Sequence, residues 1–506
     1  MRSSLSIAFF LSTCALLLPE ASATQTKPRI CCRKLSAKFQ GQGKVAYPDT
    51  ANYLAQNKYW SESSFLTPTC IFSPSSANDV AEAVRLFSRN SCVFAIRGGS
   101  HMPNSGFSST DNGVLISLTG LNKLNYDASR NVIAIGAGNK WTNVYNFLDP
   151  KNVTVLGGRN SDVGVSGFLL GGGISYLSNS YGWACDNVVE YEVVLADGRI
   201  VYASNNSNTD LLRSLRGGSS NFGVVTSFTA KVYNVGPNAS GRVYFPESSI
   251  PQLFGPLYNY IVNQQAANPK YHIIPNFVKI GTAAPRASFT QFYAEAIDLA
   301  SPPPVMNQWI NGTIPLQSQA VVNRQDAGGL AKLFGADAPP ANRSQWHVTS
   351  IIADAQLFQD IYNIWLETSQ PYETIPGWFN SIAMQPIGTK YVEVSQTSGG
   401  NALGITAPLV VVSANVYWSN ASDDATVRQF LGILFKKIKD AAKAAGKESK
   451  YEYLNYGAAN QKPIASYGRE SLRKLAKAKR KYDPYNVFGT LVEGGFKIPG
   501  FQAIHG

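Results

Sequence analysis

Arg97-Gly98-Gly99-Ser100-His101 is the first of three glycine clusters that decide how this chain is read. The second runs Gly157-Gly158…Asp162-Val163-Gly164-Val165-Ser166-Gly167…Gly171-Gly172-Gly173, and the third is Arg216-Gly217-Gly218-Ser219-Ser220-Asn221-Phe222-Gly223. Consecutive glycines let backbone N–H groups converge on an anion, because no Cβ blocks a close approach. An arginine opens two of the clusters and adds a charge suited to phosphate. Any one cluster reads equally well as a tight turn between short strands. Three of them within one stretch of the chain point to a large phosphate-bearing ligand. The spacing is not that of a dinucleotide-binding Rossmann unit, because G-x-G-x-x-G, a βαβ frame and a following acidic residue do not line up.

The surroundings of the clusters are α+β. Ser76 to Asn90 reads as a helix, with Ser76 as cap, Asp79 at the favoured third position, and Val80, Val84 and Phe87 on one face. A buried strand at Cys92–Ile96 feeds the first cluster, and further strands are expected at Val114–Leu118, Val132–Ala137 and Phe222–Val235. Glu190–Ala203 reads as a hairpin turning at Asp197-Gly198. Beyond Pro237 longer helices are expected near Ile250–Gln265, Gln356–Gln370 and Ala425–Gly446, and strands near Ser288–Ile297 and Leu409–Trp418. That pattern suits a second unit, an antiparallel sheet covered by helices.

Composition narrows the class. The chain has 506 residues, 44% of them apolar and only 15% charged, which excludes a disordered or coiled-coil chain. Arg2, the apolar run Leu5–Leu18 and Ala21-Ser22-Ala23 read as a secretory leader over residues 1–23. No later run reaches the roughly 20 apolar residues of a membrane span. In an oxidising compartment Cys31, Cys32, Cys70 and Cys92 are expected to form one or two disulfides of unread connectivity, with Cys185 a buried thiol. Sequons begin at Asn152, Asn205, Asn238, Asn311, Asn342 and Asn420. The net charge of +12 gathers in Lys436–Lys450 and Arg469–Lys481, read as solvated helix faces rather than nucleic-acid sites. The four histidines show no metal-ligand spacing, and no G-x-S-x-G elbow or phosphate-binding P-loop occurs.

Arg97-Gly98-Gly99-Ser100-His101…Gly106 resembles the flavin-linking loop of the berberine-bridge-enzyme-like FAD-linked oxidoreductases of the vanillyl-alcohol-oxidase/PCMH superfamily. Asp162–Gly173 resembles that family's second flavin-contacting segment, and Tyr181-Gly182…Cys185-Asp186-Asn187-Val188 and Arg216–Thr226 fit the same domain. Tyr453-Leu454-Asn455-Tyr456 and Tyr482-Asp483-Pro484-Tyr485-Asn486-Val487-Phe488 look like its terminal signature. The resemblance implies a PCMH-type two-subdomain FAD-binding domain at 65–236 and an α+β substrate domain at 237–450. An N-terminal cysteine segment at 24–64 would precede them, and a C-terminal segment at 451–506 would return to the flavin.

Carried residue by residue, it implies FAD joined through its 8α position to His101. Cofactor contacts would come from Arg97, Gly98, Gly99, Ser100, Gly106, Val163, Gly164, Gly167, Gly172, Gly173, Val225, Asn455, Tyr456 and Asn486. Asn160 stands where bicovalent members have Cys, so the linkage is expected to be mono-covalent. Val163 matches the position that gates oxygen. Tyr453 is a candidate base. So are Tyr391 and Glu393, on a segment read as a strand with both residues on one face. The expectation is a secreted, monomeric oxidase that acts on a small-molecule substrate and oxygen, without metal, nucleic acid or membrane. The alternatives are a dehydrogenase or oxidative cyclase reacting poorly with oxygen, or a non-catalytic scaffold.

Overall fold

The computed structural model describes residues 26–324, 326–336 and 343–501; the leader, the Asn342 sequon and His505 lie outside them. Helix Ala77–Asn90 forms as its sequence demands: the Ser76 side chain accepts from the Asp79 N–H, and Val80, Val84 and Phe87 are buried. It leads into strand Phe94–Arg97, which pairs in parallel with Val114–Ser117. Cys70–Phe72 and Val45–Ala46 complete a four-stranded sheet. Disulfides Cys31–Cys92 and Cys32–Cys70 tie helix Lys27–Lys38 to this sheet, and Cys185 is buried as a free thiol.

A second, antiparallel sheet of five strands follows, in the order Leu124–Asp127, Val132–Gly136, Val224–Lys231, Val188–Val194, Ile200–Ser204. Its last pair is the hairpin expected at Asp197-Gly198, where Gly198 takes a φ of +78° and lies so close to the Arg85 side chain that a Cβ would clash. The C-terminal segment docks back on these two sheets. Phe94 N donates to Leu491 O, and buried Lys479 bonds both Asp483 and the carbonyl of Asn221. Asp483 in turn accepts from the N–H groups of Val487 and Phe488.

The remaining strands build one eight-stranded antiparallel sheet in the order Ser318–Arg324, Asn238–Pro246, Arg286–Tyr293, Tyr271–Ile280, Phe379–Ile387, Leu409–Trp418, Arg343–Ile351, Glu448–Ser449. Alternation divides its two faces. Val243, Phe245, Phe277, Phe289, Ile382, Met384, Val412 and Ala414 face an apolar core that they share with helices Ala355–Ser369 and Asp424–Ala444. The other face looks toward the glycine clusters.

Three expectations need correction. Residues 389–397 are a helix, not a strand. The β-branched and aromatic run lost to context, because the chain has left the sheet at Ile387 and packs beside helix Ser178–Tyr181. Two helical positions lie about 200° apart, so Tyr391 and Glu393 point to opposite sides. Residues 247–264 are a composite of 3₁₀, α and π turns rather than one α-helix. Asn238 is fully buried with its amide on Asp326 O, so its sequon cannot carry a glycan in this fold, whereas Asn152, Asn205, Asn311 and Asn420 are exposed.

Bridging Cys31 to Cys92 closes a loop of sequence separation 61, for which chain entropy gives about 4 kcal/mol at most. A Cys31→Ser/Cys92→Ser variant is expected to lose about 2–4 kcal/mol of stability, read as an earlier midpoint in denaturant unfolding.

Candidate functional site

A cavity of about 700 Å³ lies between the glycine clusters and the free face of the eight-stranded sheet. That is an ordinary size for a site holding a cofactor or small molecule. Gly98, Gly99, Ser100 and His101 form one rim, and Asn160, Val163, Gly164 and Gly167 form another. Ser219, Ser220 and Val225 come from the third cluster, and Tyr453, Asn455 and Tyr456 from the C-terminal segment.

The first two clusters meet backbone to backbone. A Cβ on Gly99 would lie 2.3 Å from Gly164 Cα, and one on Gly164 would lie 2.4 Å from Gly99 N. Nothing larger than hydrogen fits at either position. Helix Val165–Leu170 starts directly after this contact, with the Val165 N–H donating to Asn139 O.

His101 is held from the far side. Trp60 stacks on its ring at 4.1 Å, Trp60 N donates to Ser100 O, and Ser63 Oγ donates to Pro103 O. The imidazole Nε2 is buried without a protein partner on the cavity wall. Burial holds its pKa down to about 4, against a smaller opposing pull from Asp162. The ring is therefore neutral at ordinary pH, with a lone pair to offer.

The other expected residues divide. Arg97 does not line the cavity; its guanidinium bonds Ser117 Oγ and lies 5.2 Å from the Tyr59 ring centre. Arg216 likewise bonds the carbonyls of Val188, Ser398 and Gly400. Gly106, Gly172 and Gly173 take positive φ just behind the wall, and Gly173 N donates to the Tyr453 hydroxyl. Asn486 sits in a left-handed turn heading helix Val487–Thr490, apart from the cavity wall. Glu393 is exposed and paired with Lys390, and Tyr391 is buried edge-on against Trp183; neither reaches the wall. Tyr453 does, but burial pushes its phenol well above the usual range, which works against a base. Asn160 accepts from Asp162 N, and Cys185 lies away from the cavity, its thiol pushed up by burial.

Several wall residues carried no signal in the sequence reading. Arg159, between Gly158 and Asn160, reaches across to the sheet and the C-terminal segment. Its Nη2 donates to Gln385 Oε1 at 2.5 Å and to the Tyr456 hydroxyl at 2.8 Å, and Nη1 lies 3.3 Å from His272 Nε2. Burial and this neighbouring charge drive His272 well below its ordinary pKa, so it stays neutral. Trp346 stacks on Tyr456 at 4.7 Å with the rings 9° apart. In register across the sheet, Arg286, Val278, Ser381, Asn415 and Trp346 form one row of the wall. Ser381, Ala383 and Gln385 lie on strand Phe379–Ile387, where the sequence reading placed no strand.

Residues 68–204 match the FAD binding domain model, and residues 452–490 match the model described as berberine and berberine like. The FAD-dependent monooxygenase tpcD of Cochliobolus heterostrophus is 33% identical over 467 residues, covering 89% of each chain. The chain belongs to the berberine-bridge-enzyme-like FAD-linked oxidoreductases. Another relative, the bifunctional solanapyrone synthase of Alternaria solani, is 31% identical over 93% of this chain and 89% of its own.

Among solved structures, the fold is shared with 6-hydroxy-D-nicotine oxidase of Arthrobacter nicotinovorans at TM-score 0.74 and 22% identity, over 90% of this chain and 98% of that one. It is also shared with glucooligosaccharide oxidase of Acremonium strictum at TM-score 0.76 and 19% identity, over 96% and 100%. The FAD-binding region of this berberine-bridge-like oxidoreductase thus includes the first two glycine clusters, and its terminal family segment includes Tyr453, Asn455, Tyr456 and Asn486. Among the described residues no helix is long and apolar enough to cross a membrane. No cluster of three potential metal ligands occurs among them.

The Gly99–Gly164 contact yields the first test of the site. Gly99→Ala has no side chain to push aside, only backbone, and is expected to cost about 3 kcal/mol. The loss should appear in thermal unfolding together with loss of bound flavin, while Gly432→Ala, on helix Asp424–Ala444 away from the cavity, where a Cβ meets nothing within 4 Å, should retain both.

Proposed function

We propose that the protein is a secreted oxidase carrying FAD bound through His101 alone, acting on a small alcohol, sugar or specialised metabolite. The observation that carries this reading is the buried, neutral imidazole whose Nε2 meets no protein partner on the cavity wall. A structural histidine would use that atom, because an unmet buried polar group costs free energy. A neutral ring is also what attachment to an electrophilic carbon needs. The glucooligosaccharide oxidase of Acremonium strictum is described as holding a 6-S-cysteinyl, 8α-N1-histidyl FAD, which supports a histidyl anchor, though through the other ring nitrogen. With Asn160 in place of a thiol, only the histidyl bond is open to this chain. The apolar leader and the two disulfides support secretion.

FAD bound there would supply the hydride acceptor and a path for two electrons to oxygen, with hydrogen peroxide as the product. The chain's own residues do the rest. The glycine rims and the serines of the third cluster offer N–H and hydroxyl donors for the phosphates. Trp60 fixes the His101 ring plane. Asn160 and Val163 border the cavity on the second rim. Tyr176, Tyr244, Tyr417, Tyr453 and Tyr456 are the phenols on the wall, and no carboxylate is among the described wall residues.

The relatives' names favour a second reading, a monooxygenase. The deciding experiment reduces the flavin anaerobically with a panel of alcohols, sugars and fungal-type metabolites and then admits labelled oxygen. Peroxide equal to substrate oxidised supports the oxidase, and label in the product supports the monooxygenase. A flavin that no panel member reduces and that reoxidises slowly contradicts both.

Two further outcomes are expected. Because the His101 pKa is lowered to about 4, the imidazole is neutral above about pH 5 and protonates only below. Covalent attachment of FAD to apoprotein should run at a constant rate from pH 8 to about 5 and fail near pH 4; an unshifted imidazole would already slow near pH 6.5. Val163→Leu places one more methylene at the gate position in close-packed surroundings. It should slow reoxidation by oxygen about tenfold, a barrier of about 1.4 kcal/mol, and leave anaerobic reduction nearly unchanged in stopped flow.

A further inference from the structure

Among the described residues that line the cavity there is no Asp or Glu, while Arg159 is one of them. Arg159 is half-buried on this wall. Its three partners, Gln385, Tyr456 and His272, are all formally neutral groups, and His272 stays neutral through burial. Arginine does not escape by losing its proton. A buried charge with no opposite charge is costly, and the cost is lifted when a ligand brings the missing anion.

The phosphates of FAD are a poor candidate for that anion. Arg159 leaves the glycine rim and turns toward the substrate sheet, through Gln385 and His272. Arg286 belongs to that sheet outright. The rest of the wall states what else the ligand must be. The Trp346–Tyr456 stack and the ring of Tyr176 present flat aromatic surface. Asn276 Oδ1 is buried without a donor, on the same face of the sheet.

We infer that the substrate is a planar, conjugated organic acid whose carboxylate or acidic enolate is held by Arg159. A hydroxyl or N–H of the same molecule meets Asn276. The inference rests on this cavity being the substrate site of an FAD oxidoreductase, but not on the oxidase chemistry. It sets aside neutral sugars as the substrate class.

The test titrates the oxidised holoenzyme with cinnamate and with cinnamamide at physiological salt, reading the flavin absorbance. Cinnamate should bind at least tenfold more tightly, and Arg159→Gln should abolish most of that preference while leaving cinnamamide affinity within about twofold. Equal affinity for the acid and the amide in the unmodified holoenzyme overturns the inference, whether or not the variant folds. So does a preference unchanged in Arg159→Gln. If Arg159 instead serves the reduced flavin, the variant will shift the flavin potential without moving the acid-to-amide ratio, which also overturns it. Failure of the underlying reading looks different: the purified protein would carry no flavin band to titrate.

Discussion

Everything in the site hangs on the place where two loops touch through bare backbone. Gly99 follows a strand of the four-stranded sheet, and Gly164 directly precedes helix Val165–Leu170. With a Cβ on either, the contact distance would fall to about two thirds of a normal carbon–carbon separation. The approach brings His101 and Val163 to opposite rims of one cavity. It also explains why glycine is needed there for space rather than for turning, since neither residue has a positive φ.

Burial then sorts the charges. One desolvation effect pushes His101 and His272 toward neutrality, and Tyr453 and Tyr391 toward the protonated phenol. Arginine alone resists it. The outcome is a wall of neutral donors and acceptors with guanidinium as its charged group. The N-terminal segment contributes through Trp60, and the two disulfides anchor the start of that segment to the sheet that carries His101.

The flavin half was legible because its signals are local. A glycine pair, a capping serine or an Asp-Gly turn declares a backbone geometry within a few residues, and helix Ala77–Asn90 and the hairpin at Asp197 formed as read. The cysteine pairing was not legible, since four cysteines allow three connectivities. It resolves in three dimensions because adjacent Cys31 and Cys32 leave their helix about 100° apart and must find different partners. The cavity wall that the eight-stranded sheet supplies was the least legible part. Its residues come from six strands far apart in sequence, and alternation tells which residues share a face without telling which face meets the flavin. Arg159 was passed over for the same reason, since its partners lie 113, 226 and 297 residues away. Residues 389–397 carried a strand-like composition that packing overruled.

The central claim is that His101 is the one covalent anchor of the flavin. The direct measurement is peptide mapping of the denatured, proteolysed holoprotein by mass spectrometry. The account predicts that the FAD mass rides on the peptide containing His101 and that the Cys185 peptide is unmodified. Free FAD in the supernatant with the His101 peptide at its bare mass, or flavin on any other residue, would contradict it.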